Sequence, residues 1–407
     1  MDRNNIKKIN KDKSGESYDF DKIIDRSGSG DLKHEALLPR WRRNDLLPLW
    51  VADMDFETPM FITDALKKRL EHSLFGYTVE PKELWQSIIN WVNEHHQWEL
   101  KREWLKFIPG IVKGIGLIIN VYTKPGDKVI IQPPVYHPFR LTPEGNNREV
   151  VFNPLKLRDD GYYDMDFDNL EKVCDDKCRI FILCNPHNPA GMCWKKETLQ
   201  KLADFCYEHH LLVISDEIHC DMAIFGHKHI PFATVSEKAR ENSITFQAPT
   251  KTFNIAGIIS SYAIIPNSDI RKKFYGWVNA NELDEANIFA PIATIAAFTK
   301  GEEWRKAMLA YIEDNVRFIE DYCKKNIPQI HPLRPQASFL VWLNCRELNL
   351  DHKDLLDLFI DKAHLALNDG EMFGQGGEGF MRMNIATPRS VLKQALEQLA
   401  SAVNNLK

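Results

Sequence analysis

Residues 179–221 read RIFILCNPHNPAGMCWKKETLQKLADFCYEHHLLVISDEIHCD, and this stretch decides the fold. RIFILC (Arg179 to Cys184) is a continuous apolar run of strand length, ETLQKLADFCYEHH (Glu197 to His210) has helical spacing, and LLVIS (Leu211 to Ser215) is apolar again. Strands apolar on both faces and separated by a helix imply a mainly parallel sheet covered by helices on both sides. Upstream, IVKGIGLIINVY (Ile111 to Tyr122) predicts a helix and KVIIQ a strand ending at Gln132. Downstream, SITFQ (Ser243 to Gln247) and ISSYAII (Ile259 to Ile265) predict two more strands. FITDALKKRL (Phe61 to Leu70) and LWQSIINWVNEHH (Leu84 to His96) are amphipathic. After about Thr299, long helical patterns (Glu302 to Lys325 and Ser390 to Leu406) flank the strand-like pieces ASFLVWLN and FMRMNIA. The expectation is a large α/β domain at 51–294 and a smaller α+β domain at 295–407, joined by the segment 1–50. The charged opening through about Lys13 predicts a disordered start.

Composition narrows the function. Of 407 residues, 44% are apolar and 27% charged, and 20 glycines with 21 prolines exclude a collagenous or low-complexity body. A net charge of −5 gives no basic face for nucleic acid. No stretch reaches the ~18 continuous apolar residues of a membrane span, and the amino terminus has no signal-peptide core, so cytoplasmic residence is expected. None of the eight cysteines forms a C-x-x-C pair, so neither a zinc site nor a thiol redox motif is written here. Buried thiols acting as small apolar residues are the expectation.

In an open α/β sheet, ligands gather at the carboxyl ends of the strands. The segments there are Gln132 to Tyr136, Asn185 to Gly191, Asp216 to His219, and Ala248 to Lys251. The two Asn-Pro steps of NPHNPAG stiffen a turn that can hold Asn188 towards a ligand oxygen, or form only a rigid loop. Asp216, where an apolar strand runs out, is a partly buried acid in want of a cation, or a helix cap. Lys251, flanked by Pro249 and Phe253, has the apolar surroundings that bring a lysine amine towards neutrality and suit it to covalent attachment, although most lysines are solvated.

The ordered set of aromatic, asparagine, aspartate, histidine and lysine at successive strand ends resembles the fold-type I pyridoxal-phosphate enzymes of the class I/II aminotransferase superfamily. NPHNPAG resembles that family's N-P-x-N-P-T-G, with Ala190 in place of the usual threonine. LPLWVADMDFETP (Leu47 to Pro59), FGYT (Phe75 to Thr78), IQPPVYHPF (Ile131 to Phe139), SDEIHCD and APTKTFNIAG resemble the MalY/PatB-type cystathionine β-lyase (C–S lyase) branch. His219 stands where many aminotransferases have tyrosine, Ile259 where they carry a phosphate-binding arginine, and Ala248 where they often have serine.

The resemblance implies a seven-stranded-type sheet, pyridoxal 5'-phosphate as cofactor and a homodimer with shared active sites. It implies that Lys251 holds the cofactor and then moves protons at Cα, and that Asp216 pairs with the pyridine nitrogen. Asn188 would bond the ring hydroxyl oxygen and Tyr136 would stack on the ring. The N–H groups of Ile111 and Val112, with the Thr250 hydroxyl, would receive the phosphate. Tyr77 would reach a neighbouring protomer's phosphate, or else be a core aromatic beside Phe75. Arg382 would clamp the substrate α-carboxylate. His219 would tune the ring or pack beneath it. No metal is implied. The leading activity is β-elimination from cystathionine or another cysteine S-conjugate, giving thiol, pyruvate and ammonia. An aminotransferase is the alternative, and a regulatory binding protein on this scaffold the third reading.

Overall fold

The computed structural model describes residues 10–11 and 17–406. Its central sheet contains β1 (Leu105–Ile108), β2 (Lys128–Ile131), β3 (Glu149–Phe152), β4 (Cys178–Cys184), β5 (Leu212–Asp216), β6 (Ser243–Gln247) and β7 (Ser261–Ile264). The order across the sheet is β1-β7-β6-β5-β4-β2-β3, parallel at every pairing except the two that β7 makes. Alternation along the strands supplies both faces. Val129, Ile131, Ile180, Ile182 and Ile214 join one apolar cluster, under Ile111, Ile115, Ile118 and Ile119 of helix α1 (Ile111–Tyr122). Ile130, Phe181, Leu183 and Val213 join the opposite one, under Leu199, Leu202 and Cys206 of α2 (Lys196–Glu208). The continuous apolar strands expected from sequence are therefore covered on both sides.

Three further helices are α3 (Phe289–Lys300), α4 (Glu302–Asn326) and α5 (Arg389–Asn404). A second, antiparallel sheet has the order β8-β9-β11-β10, from β8 (His331–Leu333), β9 (Leu340–Asn344), β10 (Asn368–Asp369) and β11 (Phe380–Asn384). Ile312, Val316, Ile319 and Cys323 of α4 and Leu392, Leu396 and Leu399 of α5 share one core with Leu343, Met381 and Met383 of this sheet. The segment around Leu47 crosses between the two sheets. Leu47–Pro48 pairs in parallel with Leu365–Ala366, and Asn384 N–H donates to Leu49 O at 2.9 Å. Seven residues on, Asn254 Oδ1 accepts Met54 N–H at 3.0 Å, tying the same segment to the loop after β6.

Some boundaries differ from the sequence reading. The strand expected from Ile259 begins at Ser261, because Ile259 takes a left-handed conformation (φ 55°) that closes the turn Ala256–Ile258. The chain from Phe289 to Lys300, not singled out in the sequence, is helical and mostly buried. The opening through Lys13 lies outside the described residues except for Asn10–Lys11, which pairs antiparallel with Ser17–Tyr18. Of the eight cysteines, all unpaired, six are buried as expected and Cys174 and Cys193 are partly exposed. Among the described residues, no helix is long and apolar enough to cross a membrane.

The junction of α3 and α4 sits against the loop that carries Lys251. A Cβ at Gly301 would lie 2.2 Å from Phe253 Cε1 and 2.3 Å from Ala297 O, so the Phe253 ring occupies that space. Phe253 is fully buried and cannot swing away cheaply. Gly301→Ala is expected to destabilise the fold by about 1–3 kcal/mol, an overpacking cost that thermal unfolding beside wild type will measure.

Candidate active site

Strand register brings the loops together. Asp216, last in β5, pairs with Cys184 at the end of β4 on one side and with Phe246 of β6 on the other. The segments starting at Asn185, Glu217 and Ala248 therefore leave the sheet side by side. They open into a cleft of about 540 Å³, closed on its far wall by Arg382 of β11 and by Trp50–Ala52 of the crossing segment. Tyr136, Asn188, Asp216, His219, Thr250, Lys251, Ile111, Val112 and Arg382 all line it. Tyr77 alone of the expected set does not. It lines a separate groove and is 102% exposed, which excludes the core-aromatic reading within this chain.

The charges in the cleft are held in unusual states. Lys251 Nζ donates to Ala52 O at 2.5 Å. Burial pushes its amine down to about 8, helped by Arg382 and opposed by the carboxylates of Asp53 and Asp216. Asp216 has a carboxyl pushed up to about 7 by burial and by Glu217, against one backbone hydrogen bond from Ile218 N at 3.1 Å and the charge of Lys251, with which it forms no ion pair. Burial, Lys251 and Arg382 take His219 down to about 3, so its ring is neutral, and its buried Nδ1 has no partner. Tyr136 is raised by burial and by Asp216.

Arg382 is 5% exposed and meets only neutral acceptors: Asn188 Oδ1 at 3.1 Å, Asn368 Oδ1 at 2.7 Å and Trp50 O at 2.9 Å. Its Nε is buried without a partner. Burial lowers its guanidinium to about 10. At the other end of the cleft, Gly110 (φ 112°, a conformation that favours glycine) turns the chain into α1. Nothing lies within 4 Å of where a Cβ would stand there. The first-turn N–H groups of Ile111 and Val112 have no intrahelical acceptor and carry the positive end of the helix dipole. The cleft thus offers an acid lacking a cation, an amine near neutrality, a guanidinium lacking a carboxylate, and a helix start suited to an anion.

Two supports keep these groups in place. Beneath Ala52, Lys33 is fully buried, with Nζ 3.1 Å from Asp53 Oδ1 and 2.8 Å from Asp55 Oδ1. Arg26 pairs with Asp31, Asp53 and Asp55 at 3.0, 3.0 and 2.8 Å. At the end of β4, the Cys184 sulfur accepts Asn188 N–H at 3.3 Å, and its S–H donates to Pro186 O at 3.5 Å. Burial pushes that thiol up, with Asp216 adding to the shift. Behind Asp216 lie two buried carboxylate–imidazole pairs, Glu217–His229 and Asp221–His96, each 2.9 Å.

Sequence reasoning missed Arg40, Trp50, Ala52, Asn368 and Met372 as cleft residues. For Ala52 a signal existed, since it lies in LPLWVADMDFETP, but its contribution is a backbone carbonyl. Trp50 lies in the same motif; for Arg40, Asn368 and Met372, position is set by the folding of separate segments onto the cleft, and no local pattern announces it.

The Asp221 pair gives a pH dependence of stability. Burial alone would raise its carboxyl, but hydrogen bonding to His96 leads the opposing effects and brings it to about 2. A depressed folded-state value stabilises above the ordinary carboxylate value of 3.8 and is lost as pH falls towards 2. Urea unfolding across that window is expected to show wild type losing about 2 kcal/mol more than Asp221→Asn. Parallel profiles would remove the pair from the acid response.

Comparison with known proteins agrees with this geometry. The profile of the class I and II aminotransferases matches residues 44–399. The chain is 40% identical to cystathionine β-lyase PatB of Bacillus subtilis over 386 residues, 95% of this chain and 100% of that protein. It is 33% identical to the MalY protein of Escherichia coli over 393 residues, 96% and 100% of the two chains. Among solved structures, cystalysin from Treponema denticola, which contains pyridoxal 5'-phosphate, superposes with a TM-score of 0.92 at 35% identity, covering 96% and 100% of the chains. A pyridoxal-phosphate-bound C–S lyase from Staphylococcus hominis gives 0.87 at 34% identity over the same shares. Sequence, sheet topology and strand-end cleft agree, and the chain belongs to the class I and II aminotransferase family.

Proposed function

We propose that this protein is a pyridoxal-phosphate-dependent C–S β-lyase that converts cysteine S-conjugates of the cystathionine type to a thiol, pyruvate and ammonia. One observation carries the reading: a lysine lowered to about 8 and an aspartate raised to about 7 line the same cleft as an arginine without a carboxylate. These residues fit the cofactor. When bound, pyridoxal phosphate supplies an electron sink for the negative charge left at Cα after its proton is removed.

The chain's residues then divide the work. Lys251, whose amine burial lowers to about 8, would hold the cofactor and, once displaced by the substrate amine, would be free to take the Cα proton. Asp216 would pair with the ring nitrogen and favour its protonated form, which would give this buried acid an ion-pair partner. Asn188 would hydrogen-bond the ring oxygen, Tyr136 would cover the ring face, and neutral His219 would lie in the same cleft. Ile111 and Val112 N–H groups with the Thr250 hydroxyl hold the phosphate. Arg382 takes the substrate α-carboxylate, which fixes the Cα–H bond for transfer to Lys251. Loss of the Cα proton and cleavage of the Cβ–S bond would release the thiolate, which takes up a proton, and water would hydrolyse the remaining unsaturated three-carbon amino acid to pyruvate and ammonia.

The lyase reading rather than transamination is supported by the relatives named as lyases, which match essentially the whole chain. Residues 51–294 would form the cofactor-holding domain and 295–407 with 1–50 the smaller one. Cytoplasmic residence is supported by eight unpaired cysteines. A homodimer is supported by the loop in which Leu74, Phe75, Tyr77 and Val79 are all exposed. Tyr77 would complete the phosphate site of the facing protomer.

Purified, cofactor-loaded protein given L-cystathionine is expected to release pyruvate and thiol in equal amounts, with none from Lys251→Ala. A substrate-dependent change in cofactor absorbance with no pyruvate would overturn the lyase reading in favour of transamination. Shared sites have their own test. Tyr77→Ala and Lys251→Ala proteins, each impaired, should regain activity when unfolded together and refolded, because a mixed dimer holds one site free of both changes. No recovery, with each variant impaired, would overturn the role of Tyr77 across the dimer interface.

A further inference from the structure

The mouth of the cleft contains a second guanidinium that the proposed chemistry does not use. Arg40, in the short helix Leu37–Trp41, lines the cleft with Arg382. Its guanidinium carbon lies 4.9 Å from the ring centroids of both Trp41 and Trp50. Those two indoles meet edge to face, 5.2 Å apart at 84°, so the planar cation is held in a corner between them. Among the described residues, the guanidinium's one hydrogen bond is a long contact from Nη2 to the Met372 thioether sulfur at 3.8 Å. Among the described residues, no carboxylate forms an ion pair with it. Asp369 alone acts on its charge favourably, from further off.

A neighbour strengthens the case. His137 also lines the cleft, and its buried Nδ1 has no hydrogen-bond partner. Burial and the positive charges of Arg382, Arg40 and Arg140 hold its ring neutral, at about 4. A guanidinium at the exposed edge of the cleft, stacked on two indoles with N–H donors to spare, and a neutral imidazole with an unused nitrogen together offer the groups that an anion needs. The thioether of Met372 and the side chain of Leu32 line the same cleft and suit an alkyl chain.

We propose that Arg40, cornered by Trp41 and Trp50 and assisted by His137, recognises a carboxylate on the thiol side of the substrate. The inference rests on the lyase reading and narrows it. Preferred substrates carry two carboxylates, one on the cysteine Cα for Arg382 and one on the departing thiol for Arg40, as in cystathionine or cystine. S-Alkyl cysteines without the second carboxylate are poorer.

The test compares L-cystathionine, S-(2-carboxyethyl)-L-cysteine and S-ethyl-L-cysteine with wild type, Arg40→Met and Arg40→Lys. Arg40→Met is expected to lower kcat/KM for the two carboxylate-bearing substrates by about ten- to a hundredfold through KM, the range of a charge-assisted hydrogen bond. S-Ethyl-L-cysteine should change little, and Arg40→Lys should fall between. Equal losses on all three substrates, or no loss on any, would overturn the subsite. Wild type yielding no pyruvate from any of them would instead overturn the lyase reading. The subsite would then be read from ligand-induced changes in cofactor absorbance. Weaker half-saturation in Arg40→Met confined to the two dicarboxylates supports it, and identical titrations reject it.

Discussion

The site depends on keeping charges out of water without their natural partners. Lys251, Asp216 and Arg382 lie in one cleft, and burial moves each towards its uncharged form. Isolated charges in such surroundings cost several kcal/mol apiece, so a fold meant only for stability would pair them with one another. Here Arg382 is given amide and carbonyl oxygens, and Lys251 a backbone carbonyl. The missing opposite charges are ones a phosphorylated cationic ring and an amino acid carry. Much of the remaining architecture serves to hold this uncompensated set. The parallel register aligns Cys184, Asp216 and Phe246, and the second sheet delivers Arg382 from the other side.

The crossing segment from Leu47 to Asp55 binds these halves into one unit. Asn384 Nδ2 reaches Val51 O and Asp53 O at 2.5 and 2.6 Å, while Asn254 Nδ2 reaches Met54 O and Phe56 O at 3.0 and 2.8 Å. Asparagine side chains from both sides thus hold four carbonyls, at 51, 53, 54 and 56, of one irregular segment. Asp53 faces the Lys33 ammonium while its field keeps the Lys251 amine from falling further. The charge state of the attacking amine is therefore set in part by residues that touch neither substrate nor cofactor.

Legibility in the sequence followed the range of the interactions. The strands from Cys178 to Gln247 and the roles sketched for Asp216, Lys251 and Asn188 could be read because apolar runs and the residues that end them are adjacent in the chain. The family likeness supplied Arg382, which alone on its strand resembles any buried arginine. Arg40 could not be read from RWRR, where it looks like part of a solvated basic run; its place follows from two indoles folding around it. Ile259 was expected to begin a strand on its β-branched character, but the turn before β7 takes it into the left-handed region. Tyr77 was ambiguous between core and interface, and its full exposure excludes the core reading within this chain.

Cys184 has a chemical consequence of its own. A cleft that liberates thiols is repeatedly exposed to sulfur nucleophiles and to the mixed disulfides they form on oxidation, and a reactive cysteine in its wall would be capped by its own products. Exchange proceeds through the thiolate. At Cys184 the proton is retained: burial and the neighbouring Asp216 disfavour the anion, and the S–H is engaged with Pro186 O while the sulfur accepts the Asn188 amide. The same strand end that presents Asn188 therefore carries a sulfur whose surroundings disfavour the thiolate that disulfide exchange requires.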